Sequence, residues 1–407
     1  MPKNPATRGS SSSAFMLLFT LLLCAHVGVR GQISIGSLTG AQLNSIPTSV
    51  PFLTIAPDGR SSGMGDGGAA TIPDVNSQHW NAGKYAFVEG KAGVGLSYIP
   101  WITNLIPDIN HFYLSGFYKI DEKNVLSSSS RYFSLGTITF SPGTLPGTQY
   151  NPQEFALDAG YSRRITNNFS AGVVLRYIHS DLSNGNTGPG GQVTNVGESV
   201  AGDLGLYYRK EIQLQEKEAQ WALGLHISNI GTPISYMETD EGTPIPTNLR
   251  LGCRFSYNIN ERNSLSIHSD LNKLLVPTPP QYERDSVTDQ PILLRGKEAP
   301  ESVIRGMLQS FNDAPGDLKE DGSYSVIAEE FHEISFSLGA EYLYRKLLVF
   351  RTGYFHEHAS KGNRNFFTFG LGTRYRFIGF DLSYLLPSGG RISPLYNTFQ
   401  LSLTLTP

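Results

Sequence analysis

The chain has 407 residues, among them 43 glycine, 20 tyrosine and 22 phenylalanine, with 16% charged residues and a formal charge of -3 at pH 7. With no long basic run it exerts no electrostatic pull on nucleic acid or anionic lipid. Its two cysteines, Cys24 and Cys253, rule out an internal disulfide framework, and abundant glycine and aromatics with few charges suit many strands joined by turns.

Lys3 and Arg8 precede an apolar core from about Ala14 to Val29, the pattern of a secretory signal peptide. Residues 1–31 are expected to be removed, with cleavage after Gly31, which also removes Cys24. The alternative is a permanent anchor helix, although the core is shorter than the ~20 residues a span requires. A lipoprotein role for Cys24 is disfavoured because Leu23 stands where a small residue would be wanted. No later stretch could cross a membrane as a helix.

From Gln32 to Glu89 alternation is poor and glycine dense. Gly63, Gly65 and Gly68 match the G-x-G-x-x-G spacing of a dinucleotide fingerprint, which works only between a strand and a helix. Pro57, Asp58 and Pro73 leave room for neither, so a tight coil with close backbone approach is the better account.

Beyond this segment an apolar residue at every second position recurs. Strands are expected near 91–99, 111–119, 131–140, 153–164, 168–180, 199–209, 218–229, 248–258, 263–275, 332–345, 347–357, 364–376, 378–386 and 396–406. The pattern is clearest where Ile334, Phe336, Leu338, Ala340, Tyr342 and Tyr344 alternate with Ser335, Ser337, Gly339 and Glu341. Such a period of two is a strand with one greasy and one polar face. Most strands are near the ~10 residues that cross a bilayer at a tilt, and an even number suits a single-chain bacterial barrel.

Long connections rich in Gly, Pro or Asn alternate with tight ones such as Thr166-Asn167 and Phe377-Ile378; those near 120–130 and 210–217 read as looser. Long outer loops and short periplasmic turns mark outer-membrane barrels. Aromatics near strand ends, among them Tyr98, Tyr113, Tyr118, Tyr161 and Tyr177, fit interfacial girdles or, for any one of them, core packing. The fold expected is therefore an all-β, fourteen-stranded transmembrane antiparallel barrel over residues 90–407.

The longest loop, 276–331, contains Pro300 placed to start a helix, on which Val303, Met307 and Phe311 share one side. In the first loop Trp101, Ile102, Leu105 and Ile106 form an apolar group that either meets a partner or belongs to a girdle. These seven residues are the candidate partner-binding set. No HExxH, Walker loop, CxxC or G-x-S-x-G occurs, and Gly197 to Ala201 lacks the second glycine of a nucleophile elbow. His356-Glu357-His358 lacks further ligands nearby in sequence; the alternative to no chemistry is a Ser/His pair such as Ser266 and His268. No catalytic activity, cofactor or metal is expected.

The run Val50 to Arg60, followed by Gly63-Met64-Gly65-Asp66 and Ser77-Gln78-His79-Trp80-Asn81, resembles the PorV (LptO) family of the type IX secretion system of Bacteroidetes. Phe311 to Gly316 and Gly339 to Tyr342 are similar to that family further along. The resemblance implies a FadL-like barrel in the cell outer membrane, with residues 32–89 as an N-terminal hatch or plug in the lumen, and it draws attention to Arg60, Gly63, Gly65, Trp80 and Asn81. It implies a shuttle, with the type IX translocon barrel, the C-terminal domains of secreted cargo, a PorU-like sortase complex and outer-membrane lipids as partners. Asn81-Ala82-Gly83 replaces the Asn-Pro-Ala of FadL-like hatches, and Thr406-Pro407 stands in place of a terminal aromatic. The alternative function is a FadL-like channel for hydrophobic small molecules, which would need an apolar lumen, whereas Arg250, Arg254, Glu341, Asp381 and Gln400 fall on the polar row.

Overall fold

The computed structural model describes residues 44–101, 108–140, 148–183, 194–237, 242–285, 287–319, 321–388 and 398–407; the expected signal peptide lies outside them. The strands are β1 (Ala92–Pro100), β2 (Ile109–Lys119), β3 (Asn124–Leu135), β4 (Ile138–Phe140), β5 (Thr148–Tyr150), β6 (Gln153–Arg164), β7 (Phe169–Asp181), β8 (Gly197–Leu214), β9 (Lys217–Gly231) and β10 (Asn248–Asn260). They continue with β11 (Asn263–Leu274), β12 (Gln281–Arg284), β13 (Pro291–Arg295), β14 (Asp317–Leu318), β15 (Tyr324–Ser325), β16 (Ile334–Tyr344), β17 (Leu348–His356), β18 (Asn365–Tyr375), β19 (Ile378–Pro387) and β20 (Phe399–Leu405).

Fourteen of these close into one barrel in the order β1-β2-β3-β6-β7-β8-β9-β10-β11-β16-β17-β18-β19-β20. Every pairing is antiparallel, and Leu96 of β1 lies opposite Leu403 of β20 to complete the ring. Closure pairs the backbone of each strand on both sides, which is what lets a sheet exist in hydrocarbon. No helix among the described residues is long and apolar enough to cross a membrane.

Burial follows the alternation but with the sign of a membrane protein. Leu175 is 63% exposed, while Arg176 beside it is 1% exposed. The same inversion runs along β16, where Leu338 is exposed and Ser337, Gly339 and Glu341 are buried. A water-soluble barrel would bury the leucines; here the apolar row is the outside and dissolves in lipid.

Three expectations are corrected. The third strand is β3 at 124–135, not 131–140: Ser127 to Ser130 carries no hydropathy signal, yet Ser127 and Ser129 face inward, where their hydroxyls bond Gln78 and Asp158. The link expected at 210–217 is a two-residue hairpin, with Leu214 paired to Lys217 across Gln215 and Glu216, both at positive φ (49° and 63°). That geometry is a type I′ turn, usually supplied by Asn-Gly, so the residue types concealed it. Tyr113 is not in a girdle but buried inside the barrel, under the guanidinium of Arg131, because it sits on the inward parity of β2.

The connection from β11 to β16 carries two small hairpins, β12-β13 and β14-β15, and two helices, Val303–Gln309 and Val326–His332. All long connections emerge at one end of the barrel and the tight ones at the other, the consequence of strands that run alternately up and down.

Candidate functional site

The chain before β1 is irregular because its glycines and prolines support no ladder, so its polar backbone must find partners elsewhere. It finds them on the barrel wall. Gly59 N donates to Ser402 Oγ of β20 (2.8 Å), Gly65 N to Thr368 Oγ1 of β18 (2.8 Å), and Gly68 N and Ala69 N to Asp270 Oδ2 of β11 (2.6 and 2.8 Å). Ser115 of β2, Ser127 of β3, Ser162 of β6 and Ser170 of β7 donate to Asn76, Gln78, Ala82 and Gly83. A segment bonded from every side of a closed ring lies inside it.

Within the segment, Asp58 caps the turn Gly59–Ser62 by accepting from Ser61 N, and it also accepts Trp80 Nε1 (2.6 Å). Burial, with the Asp74 charge adding to it, pushes the Asp58 carboxyl up to about 6. Asn81 donates to the carbonyls of Ala69 and Leu206. Lys84 is fully buried and donates to Gly68 O and Thr71 Oγ1; its burial pulls the ammonium down to about 8. Gly65 has φ +75°, and Gly68 leaves no space for a Cβ against the Trp80 indole.

Inward glycines of the wall make the complementary relief. A Cβ at Gly224 of β9 would come 2.0 Å from Ala69 O, one at Gly353 of β17 2.3 Å from Gly65 N, and one at Gly205 of β8 2.3 Å from Asn81 Oδ1. Gly224→Val is expected to displace Ala69 and Ala70 and destabilise the protein by about 1–3 kcal/mol, as overpacking does. Trypsin access to the segment checks this: cleavage as slow as in the parent would count against the steric argument.

A charge network ties segment and wall together. Arg60 donates Nε and Nη2 to the two oxygens of Glu341 (3.0 Å each) and Nη1 to Asp74 (2.7 Å). Glu341 also accepts Arg351 Nε (2.7 Å), and Arg351 in turn bonds Asp381 (2.7 Å), which Arg374 also holds (2.8 Å). On the opposite wall Arg176 bridges Asp158 and Asp203.

Of the residues singled out in the sequence, Arg60, Gly63, Gly65, Trp80 and Asn81 therefore meet within this packed segment. Trp101 does not form an exposed patch: it is half-buried against an apolar cluster that includes Phe52, Leu53, Ile99 and Phe133, because its neighbours on β1 point that way. Ile102, Leu105 and Ile106 lie outside the described residues. On the helix Val303–Gln309, Val303 and Met307 are half-buried and the exposed face is instead Ile304 and Leu308, with Phe311 just beyond. Missed altogether were Asp158, Arg176, Asp203, Asp270 and Arg351; charge at an inward parity of an otherwise greasy strand was the available signal.

The β11–β16 insertion is pinned at its base. Glu333 accepts Lys273 (2.5 Å) and Lys361 (3.0 Å), and Lys361 also meets Glu329 (2.6 Å). Above that base the insertion exposes Ile304, Leu308 (70%), Phe311, Leu318, Ile327 (71%) and Phe331 (67%). His358 does not join a metal cluster with His356; its ring stacks on His332 at 3.5 Å between centroids. Ser266 bonds Ser256, not His268, and no group of ligating side chains among the described residues could hold a metal ion.

The family model of the type IX secretion system protein PorV matches residues 39–281. In fold the chain is similar to the Ralstonia pickettii toluene transporter TbuX, at 11% identity and TM-score 0.41 over 86% of this chain and 96% of that one. It is similar also to the Pseudomonas putida toluene transporter TodX, at 13% identity and TM-score 0.45 over 89% and 98%. A Pseudomonas aeruginosa FadL homologue aligns at 11% identity and TM-score 0.40 over 90% and 100%. No curated protein matches the chain in sequence.

Proposed function

The chain belongs to the PorV family of type IX secretion system proteins, and from that premise we propose that it receives exported clients by their C-terminal signal domains and passes them to a sortase-bearing attachment complex. It is an outer-membrane component of that system, as its family and its lipid-facing barrel require. In this reading the β11–β16 insertion is the receiving surface, the segment 44–89 is a hatch that keeps the lumen shut, and the barrel carries out no catalytic step.

One observation carries the reading. The insertion exposes many large apolar side chains, Leu308, Ile327 and Phe331 among them, while its base is fixed by buried ion pairs. A rigidly mounted greasy surface standing in water lowers solubility unless a partner covers it, and preorganisation lowers the cost of binding one. The alternative, a diffusion path for hydrophobic molecules, finds no support in a lumen largely occupied by the segment and lined by Arg176, Asp158, Glu341 and Arg351.

The test is affinity for an isolated cargo signal domain. Leu308→Ser combined with Phe331→Ser should weaken binding at least tenfold, since central apolar anchors carry most of an interface's energy, while the purified barrel still shifts on unheated gels. Undiminished binding by that variant removes the insertion from the mechanism. Copurification of fatty acid in place of cargo would favour the channel instead.

A further inference from the structure

At the long-loop end of the lumen a cavity of about 160 Å³ lies between the segment, at Thr48, His79 and Trp80, and the ends of β9, β10 and β11. Arg250 of β10 reaches into it. The side chain is 9% exposed, its Nε donates to Asn272 Oδ1 (2.7 Å), and its guanidinium carbon sits 4.6 Å from the centre of the Trp80 ring. It forms no salt bridge among the described residues, unlike Arg60, Arg131, Arg176 and Arg351.

The acids around the same cavity cannot serve Arg250. Glu333 is taken by Lys273 and Lys361, and Glu357 is held in two 2.8 Å bonds by Arg364. Burial pushes the Asp66 carboxyl up to about 7, so near neutrality it is only partly charged. Asp66 Oδ1 and His79 Nε2 are themselves buried polar atoms without a hydrogen-bond partner. Asp270 opposes the Arg250 charge without forming an ion pair with it, its Oδ2 being taken by Gly68 N and Ala69 N. A buried guanidinium with no ion-paired carboxylate is costly, and its planar fork matches a carboxylate in two parallel bonds.

The wall is mixed: Leu53, Ala56, Leu274 and Phe355 supply its apolar part, beside the polar Thr48, Ser228, Asn248 and Ser335. We propose that this cavity binds a carboxylate carried on a small apolar body, the fork of Arg250 taking the carboxylate and Trp80 and Phe355 flanking the body. Its volume is close to that of a cavity of about 150 Å³ that takes up one benzene ring. The carboxylate belongs either to a free small acid or to the end of a polypeptide. The site stands apart from the cargo-docking reading, since it uses the lumen and not the insertion.

The experiment is titration calorimetry on the full detergent-solubilised protein with two matched pairs: benzoate against benzamide, and a short leucine-ended peptide as free acid against its amide. Acid forms should bind at least tenfold more tightly than amides, and Arg250→Met should abolish that difference while leaving gel heat-modifiability unchanged. Binding of benzoate identifies a small-acid site; binding of the peptide acid without benzoate identifies a chain terminus. Equal behaviour of acid and amide in both pairs on the native protein overturns the proposal. Should Arg250→Met not assemble, Arg250→Lys keeps the charge and removes the fork, and acid binding as tight as in the parent overturns it equally.

Discussion

Arg176→Met is expected to destabilise the barrel by about 3–5 kcal/mol, the range found when one partner of a buried ion pair is removed. Arg176 is 1% exposed and bonds Asp158 on β6 through Nε (2.7 Å) and Nη2 (3.1 Å), and Asp203 on β8 through Nη1 (3.1 Å) and Nη2 (2.9 Å). Its Nη1 also reaches Asn229. Removing it leaves two buried carboxylates whose remaining basic neighbours among the described residues are Arg131, 3.6 Å from Asp158, and His226, 3.7 Å from Asp203. The readouts are the urea midpoint in lipid vesicles and the temperature at which the compact gel band is lost. Combining Arg176→Met with Asp158→Asn and Asp203→Asn removes the stranded charge and should recover most of the loss. A single variant as stable as the parent would show that the network contributes nothing net.

The second large effect is expected at Arg60, and it falls on closure and not on the barrel. Arg60 is the charged tether between the segment and the wall, with three carboxylate bonds from one side chain. In Arg60→Ala, Glu341 keeps Arg351, so the wall stays neutralised, whereas Asp74 loses its charged partner and the segment its hold on β16. A loss of about 3 kcal/mol of tethering would raise the population of displaced segment roughly a hundredfold, at 1.4 kcal/mol for each factor of ten. Planar-bilayer current should rise from near zero to frequent openings, with an unchanged melting temperature for the barrel. Arg60→Lys, which keeps charge without the fork, should fall between. Silent bilayers in Arg60→Ala would mean that the hydrogen bonds at Gly59, Gly65, Gly68 and Ala69 hold the segment without it.

The legible parts of this protein share one property: they depend on neighbours two residues apart. Leu223, Leu225 and Ile227 on one parity and Ala222, Gly224 and His226 on the other state the two faces of β9 within a few residues, and the length of each run states the crossing. Where that local contrast disappears, as at Ser127 to Ser130, the strand was misplaced although its hydroxyls hold the segment and the wall. Likewise Gln215-Glu216 performs a glycine's task without a glycine, and Ile304 and Leu308, not Val303 and Met307, turn outward because the helix is rotated by what lies beneath it.

By itself the sequence determined that the chain is a closed fourteen-stranded sheet with its greasy side outward, because lipid and lumen sort residues by parity along each strand. Only the tertiary structure decided which inward charges neutralise one another and what fills the ring. Arg60 and Glu341 are 281 residues apart, Asp270 caps backbone amides 202 and 201 positions before it, and Arg250 is left without a salt bridge among the described residues. Such pairings are set by the register of closure and by the path of one irregular segment through it, and neither leaves a periodic trace in the residues that take part.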